Sequence, residues 1–118
     1  MSLFDTTQAA LERAMSGATL RHATLANNLA NANTPGFRPS DVDFHSTLRS
    51  ALAGGSAAVE AAQIGPAPTG QAVLRADGNG VDVDVESAKL AENGLELSAL
   101  AQIAAARMDI IRLAAGTR

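Results

Sequence analysis

The sequence has no cysteine, no tryptophan and no tyrosine, and it has only three phenylalanines. The absence of cysteine excludes disulfides, thiol chemistry and a zinc site built from thiolates. No run of apolar residues reaches the roughly 18 that a membrane-spanning helix needs. The formal charge of −3 offers no basic surface to nucleic acid or to an anionic membrane. We therefore expect no nucleic-acid partner and no direct membrane span.

Large apolar side chains are also scarce. Of the 118 residues 26 are alanine, and leucine, isoleucine, valine and phenylalanine together contribute only another 26. Ordering the backbone costs roughly 1–2 kcal/mol per residue, which so few large side chains offset poorly within one chain. The composition therefore favours a single domain, residues 1–118, that completes its apolar core on partners.

Two stretches show the periodicity of long helices, residues 4–33 and residues 86–115. In each, apolar residues recur every seven positions, with a second row three or four positions away. Two such stripes at the two ends of a small chain pack most simply on each other, as an antiparallel coiled-coil-like hairpin. The fold class predicted is therefore mainly α. The residues expected to pack the helices together are Leu11, Met15, Leu25, Leu90, Leu97, Ala104, Met108 and Ile111.

The segment between the long helices is expected to contain a turn, a short helix and a linker. In residues 34–52, Pro35-Gly36 suits a type II turn, because glycine supplies the positive φ. Ser40 with an acidic residue three positions later predicts the N-cap of a short amphipathic helix that ends at Leu52.

Residues 53–85 read as a linker or extended arm that is rich in glycine and proline. Valines alternate with acidic residues over 81–86, which is the period-2 pattern of an exposed strand. We expect this strand to pair with residues 71–75 as a small β-hairpin.

The sequence offers no catalytic, cofactor or metal site. His22 and His45 each lack a second histidine or a carboxylate four residues on. The acidic stretch Asp77–Asp82 fails as a calcium loop, because Asp82 stands where the loop needs glycine and Ala88 where it needs glutamate. Nucleophile-elbow, P-loop and Rossmann glycine patterns are missing. We therefore expect no enzyme activity and no cofactor.

An asparagine cluster at the end of the first helix is the strongest signal. Four asparagines fall within seven residues, at positions 27, 28, 31 and 33. Asparagine caps helix C-termini and tolerates left-handed backbone, which accounts for one or two of them. The remainder favour amide hydrogen bonds to neighbouring subunits across a packed, uncharged interface.

The run Asn27–Phe37 resembles the signature of the flagellar basal-body rod, hook and related axial proteins, approximately N-x-[IL]-A-N-x-x-T-x-G-[FY]. The short length of the chain is typical of the proximal-rod members of that family. The run Asp41–Phe44 and the run Val81–Asn93 are also most similar to those members. The resemblance covers residues 4–52 and 81–115. The candidate interface residues it marks are Asn27, Asn28, Leu29, Ala30, Asn31, Asn33, Thr34, Pro35, Gly36, Phe37, Asp41, Asp43 and Phe44.

This resemblance implies a structural subunit of the proximal rod, the periplasmic drive shaft that transmits torque. It implies export by the flagellar type III apparatus without a cleaved signal peptide, and Met1–Thr7 indeed lacks a basic segment and an apolar core. The implied partners are further copies of the chain, other flagellar rod proteins, the MS ring, the export gate and the rod adaptor protein. The alternative is a soluble helical-hairpin adaptor or export chaperone that binds one partner.

Overall fold

The computed structural model describes residues 5–69 and 80–116. These ranges are mainly helical, and the mainly α fold predicted from the periodicity is confirmed. Within them the elements are, in chain order, α1 (Thr6–Ala30), β1 (Ser40–Asp41), α2 (Phe44–Leu52), α3 (Gly55–Ala61), β2 (Ala67–Pro68) and α4 (Val83–Gly116).

The two long helices form the predicted antiparallel hairpin. Asn28, near the end of α1, contacts Glu86 near the start of α4, whereas Ala18 in the middle of α1 contacts Asn93 further along α4. At 1.5 Å per residue, α1 is about 37 Å long and α4 about 51 Å. The molecule is therefore a thin plate with extents of 65 × 29 × 14 Å.

The short helix begins later than predicted, and its cap is a different residue. The carboxylate of Asp43 accepts a hydrogen bond from the Ser46 N–H at 3.2 Å, so Asp43 is the N-cap. Ser40, which we expected in that role, lies in β1 and pairs with Pro68 of the antiparallel strand β2. The prediction for Ser40 is wrong because backbone pairing with β2 holds residues 40 and 41 extended.

The strand predicted over residues 81–86 is also wrong, because α4 already begins at Val83. The Asp82 carboxylate accepts hydrogen bonds from the N–H groups of Asp84 and Val85, at 3.0 and 3.2 Å. The acidic side chains in the first turn also stabilise α4, because they lie near the positive end of the helix dipole. The proposed strand partner, 71–75, lies outside the described residues.

Part of the predicted linker is a helix, α3. Three of its seven residues are alanine, which has the highest helix propensity. Val59 is fully buried and joins α3 to the apolar core. The small antiparallel sheet expected between the long helices is present, but β1 and β2 form it.

The apolar core lies where α1, α2 and α3 meet. Its largest side chain is Phe44, which is 1% exposed. A Cβ atom at Gly17 of α1 would lie only 2.6 Å from the Phe44 ring carbon Cγ. Gly17 therefore lets the ring approach the helix backbone directly. Leu97 and Leu100 of α4 are half-buried against this core.

No helix within the described ranges combines the length and the hydropathy that crossing a bilayer requires.

A matched pair of substitutions tests the contact between Gly17 and Phe44. Gly94 also lies inside a helix, but its Cβ position is open. Gly94→Ala should stabilise the fold by up to about 1 kcal/mol through helix propensity. Gly17→Ala should instead destabilise it, since overpacking costs about 1–3 kcal/mol and exceeds that gain. Thermal unfolding followed by circular dichroism measures both, and equal increases in Tm would contradict the close approach.

Candidate functional site

The end of α1 is organised by two of the four clustered asparagines. Asn31 is the C-cap, and its side-chain Nδ2 donates to the backbone oxygen of Asn27 at 2.8 Å. The Thr34 hydroxyl donates to Asn31 Oδ1 at 3.2 Å. The Asn27 carbonyl also accepts the backbone N–H of Asn31 at 3.2 Å, so the Asn31 side chain adds a second hydrogen bond at the helix end.

The predicted turn follows directly. The Phe37 N–H donates to the Thr34 carbonyl at 3.2 Å, and Gly36 has a φ of +77°. Glycine is required there because other residues are strained at positive φ. The turn reverses the chain so that it runs back along α1.

Asn28 is the third asparagine, and it is 1% exposed. Its Nδ2 donates to the Ser40 carbonyl at 2.7 Å and to Glu86 Oε2 at 2.9 Å, and its Oδ1 accepts from the Ser40 N–H at 3.2 Å. Both amide hydrogens are therefore used within the subunit. Asn28 joins α1, β1 and α4, and any part it plays in an interface is indirect.

The remaining signature residues lie mostly on the surface. Leu29 and Phe37 are half-buried. The exposed ones are Asn27, Ala30, Asn33, Thr34, Pro35 and Gly36. This exposed loop at one end of the hairpin is the part of the signature that can reach a neighbour.

Each residue of the run Asp41–Phe44 has a separate structural task. Asp41 binds Arg21 of α1 through both carboxylate oxygens, at 2.8 and 3.1 Å. Val42 is 2% exposed, and Phe44 fills the space above Gly17. Asp43, which is exposed, caps α2. The run therefore fixes how the returning chain enters α2.

Arg21 and Asp41 form the main ion pair of the site. Lys89 of α4 lies 3.9 Å from Asp41 and 3.4 Å from Glu86, so the charges connect α1, β1 and α4. Desolvation raises the pKa of Asp41. Hydrogen bonds from Arg21 and from the Val42 N–H outweigh it, and with the positive charges they hold this pKa below its ordinary value.

The contact between α1 and α4 is more polar than the apolar pattern predicts. Asn93 is fully buried and donates to the Ala18 carbonyl at 2.8 Å. Arg107 donates to Gln8 at 2.9 Å and to the N-cap Asp5 at 2.7 Å. Glu86, Asn93, Leu100 and Arg107 recur every seven residues, which is the one signal that could have placed them on this face.

The predicted packing residues differ in how far the subunit buries them. Leu11 and Leu25 are buried. Half-buried are Met15, Leu90, Leu97, Ala104 and Ile111. Met108, in contrast, is 42% exposed, and its predicted place in the contact is wrong. The row of residues containing Glu86 and Arg107 faces α1 instead, because its polar side chains find partners there.

Neither histidine belongs to a constellation suited to catalysis. His22 is exposed on α1. His45 stacks on Phe44 and contacts Glu96 of α4. Among residues 5–69 and 80–116, no three histidine, aspartate or glutamate side chains form a group that could hold a metal ion.

The Asp41 pair predicts a specific loss of stability in acid. A carboxylate whose pKa is lowered by folding stabilises the protein above its unfolded pKa of about 3.9, and this contribution is lost as pH falls through the lowered value. Asp41→Asn should therefore lower the free energy of unfolding at pH 7 and reduce its change between pH 7 and pH 3.

Urea denaturation followed by circular dichroism at the two pH values measures this change. Asp109→Asn is the control, because among the described residues Asp109 pairs only with Arg112 of the same helix and it is 64% exposed. Residual acid sensitivity is expected in both variants, because the pKa values of Asp5 and Asp43 are lowered too. An unchanged pH dependence in Asp41→Asn would contradict the assignment.

Comparison with known proteins identifies the family. Residues 9–38, which include most of α1 and the turn, match a family model described as "Flagella basal body rod protein". The flagellar basal body rod protein FlgB of Bacillus subtilis is 30% identical over 116 residues, which cover 86% of this chain and 87% of that protein.

Two further relatives agree. FlgB of Escherichia coli is 32% identical over 114 residues, covering 78% of this chain and 83% of the relative. FlgB of Cereibacter sphaeroides is 36% identical over 85 residues, covering 64% and 66%. The resemblance first seen in the asparagine signature thus extends over most of the chain. The chain therefore belongs to the FlgB family of flagellar basal-body rod proteins and is a structural subunit of the rod.

Proposed function

We propose that this subunit acts mechanically and without catalysis, and that neighbouring rod subunits complete its apolar core. The supporting observation is the distribution of large aliphatic side chains on α4. Leu95, Ile110 and Leu113 are 75%, 67% and 66% exposed. A helix that is apolar on both faces is normally buried on both. One face of α4 packs on α1, so the other requires cover from outside the chain.

The signature segment Asn27–Phe37 and the strand β1 that follows it serve this function by fixing the subunit's shape. Asn28 holds α1, β1 and α4 together, and the Arg21–Asp41 pair supports the same junction. A subunit that transmits force needs such a junction, because helices free to swivel would yield under load. In this proposal the exposed residues Asn27 and Asn33, together with Thr34–Gly36, contact neighbours at the end of the hairpin.

Family membership supports a proposal for the location and the partners. We place the subunit in the periplasmic rod, after export by the flagellar type III apparatus without a cleaved signal peptide. Its proposed partners are further copies of itself, sister rod proteins, the MS ring, and the export gate with its adaptor. In this proposal residues 1–118 act as one domain.

The first prediction concerns folding of the isolated chain. Because part of its apolar surface is left for neighbours, far-UV circular dichroism should show incomplete helicity at low concentration and a rise as concentration increases. Full helicity at the lowest concentration, with a sharp monomeric transition, would contradict this. That result would favour an adaptor that binds one partner.

The second prediction concerns Leu97 of α4, which is half-buried against the apolar core. Leu97→Asp places a charge in an apolar contact, and an unpaired charge there is costly. The variant should be lost from isolated basal bodies and leave cells non-motile. Ser98→Asp adds the same charge to the adjacent, exposed position and should be incorporated normally. A motile strain carrying Leu97→Asp would contradict the assignment of this contact.

A further inference from the structure

The outward face of α4 carries a regular apolar ridge. We define the outer ridge as Leu95, Ala99, Ile103, Ala106, Ile110 and Leu113, which follow one another at intervals of three or four residues. All six are exposed. Its four large members are among the most exposed aliphatic side chains of the described residues, and Ile103, the least exposed of the four, is 56% exposed.

The outward face of α1 carries a row of small side chains instead of a ridge. We define the outer groove as Ser16, Thr19, Ala23, Ala26 and Ala30, again at intervals of three or four residues. All five are exposed, small and uncharged. An open depression lies along the first half of this row, with Met15 and Leu20 at its sides. Small side chains in a row let another helix approach closely.

These two surfaces are both exposed, and they belong to the two different long helices of the hairpin. In α1, Ala18 and Leu25 are fully buried and the Ala18 carbonyl binds α4, whereas the outer groove is formed by exposed positions of the same helix. Glu86 and Asn93 of α4 point toward α1, and the outer ridge lies on the far side. Each copy therefore presents a projecting edge and a receiving edge.

We propose that the outer ridge of one copy docks into the outer groove of the next copy of this chain. The proposal rests on the rod function proposed above and names the surfaces through which copies meet. Neither strip contains a charged side chain, so their contact desolvates no charge. Because the two surfaces differ, the contact is heterologous, and heterologous contacts generate rings or open helices.

The size of the strip favours repeated copies over a single partner. The groove spans 15 residues, Ser16 to Ala30, or about 21 Å of helix, and a helix is about 10 Å wide. The strip thus covers roughly 200 Å² per copy, far less than the roughly 800 Å² per partner in a stable complex. Such a contact holds only where many copies are held together, as in a polymer.

The positions of ridge and groove along the hairpin also fix a stagger. The hydrogen bonds between the helices show which residues of α1 and α4 lie side by side. In each such pair the two residue numbers sum to about 113. The centre of the groove, Ala23, is then level with about residue 90 of its own α4. The ridge is centred near residue 104, so docking shifts the next copy by about 21 Å along the hairpin. A shifted heterologous contact produces an open helix instead of a flat ring.

Cysteine trapping tests both the surfaces and the stagger, because the chain has no cysteine of its own. In a strain with its own copy replaced, Ala23→Cys is combined with Ala106→Cys, which the stagger brings opposite it. The control combines Ala23→Cys with Ala88→Cys, which is level with Ala23 when there is no stagger. Ala88 and Ala106 are both exposed on the outward side of α4. Basal bodies are isolated and oxidised, and the products are separated without reduction.

The expected result is a ladder of cross-linked copies from the first pair and none from the control pair. A ladder from the control alone, or dimers from either single cysteine variant, would overturn the proposal. Motility under reducing conditions is scored in parallel. A motile strain with no ladder would also overturn the docking mode while leaving the rod function intact.

If the first pair is not motile, Ala26→Cys with Ile103→Cys tests the same stagger at another point. Absence of cross-linking in that motile variant would overturn the proposal equally. Loss of incorporation in every variant, including each single cysteine, would instead count against the proposed function.

Discussion

The side chain of Asn28 holds together three segments that are distant in the sequence. It donates to β1 and to Glu86 of α4 and accepts from β1, all from inside α1. A buried amide that lost these partners would cost about 1–3 kcal/mol for each unsatisfied group. The turn at Gly36 and the pairing of β1 with β2 both depend on the chain returning to this point. The hydrogen bonds of this one residue therefore fix how α1, β1 and α4 meet.

Around this junction the usual distribution of polarity is partly reversed. Gln8, Asn28, Glu86 and Asn93 are buried between the long helices, whereas Leu95, Ile110 and Leu113 face solvent. Directional hydrogen bonds set the register of the hairpin, because each buried amide forms hydrogen bonds only with particular partner groups. Apolar contacts carry no such register and suit surfaces that slide into place during assembly. The contacts that set the register of the helices thus lie inside the subunit, whereas much of the apolar surface still available for burial lies on its outside.

The sequence is sufficient to predict those features that depend on neighbouring residues. Helical periodicity identifies α1 and α4, and Pro35-Gly36 identifies the turn, because both are local effects. The strand expected near residues 81–86 fails because one carboxylate, that of Asp82, caps a helix and outweighs the alternation of valines. For the site, the asparagines are conspicuous by number alone. The partners of Asn28 are not predictable, because Glu86 lies 58 residues away in the sequence.

Hydrophobic periodicity also misplaces one row of α4, the row that contains Met108, for a physical reason. Apolar content alone does not distinguish the faces of α4, because both of them are apolar. The face that packs on α1 is selected by Asn93 and Arg107, whose hydrogen bonds outweigh a modest difference in apolar area. Each fully exposed leucine or isoleucine left on the other face could contribute about 1.5–3 kcal/mol on burial. Four such side chains rival the roughly 5–15 kcal/mol that stabilises a typical domain. In a rod subunit of this kind, folding and assembly therefore draw on free energies of the same size, and neither is complete without the other.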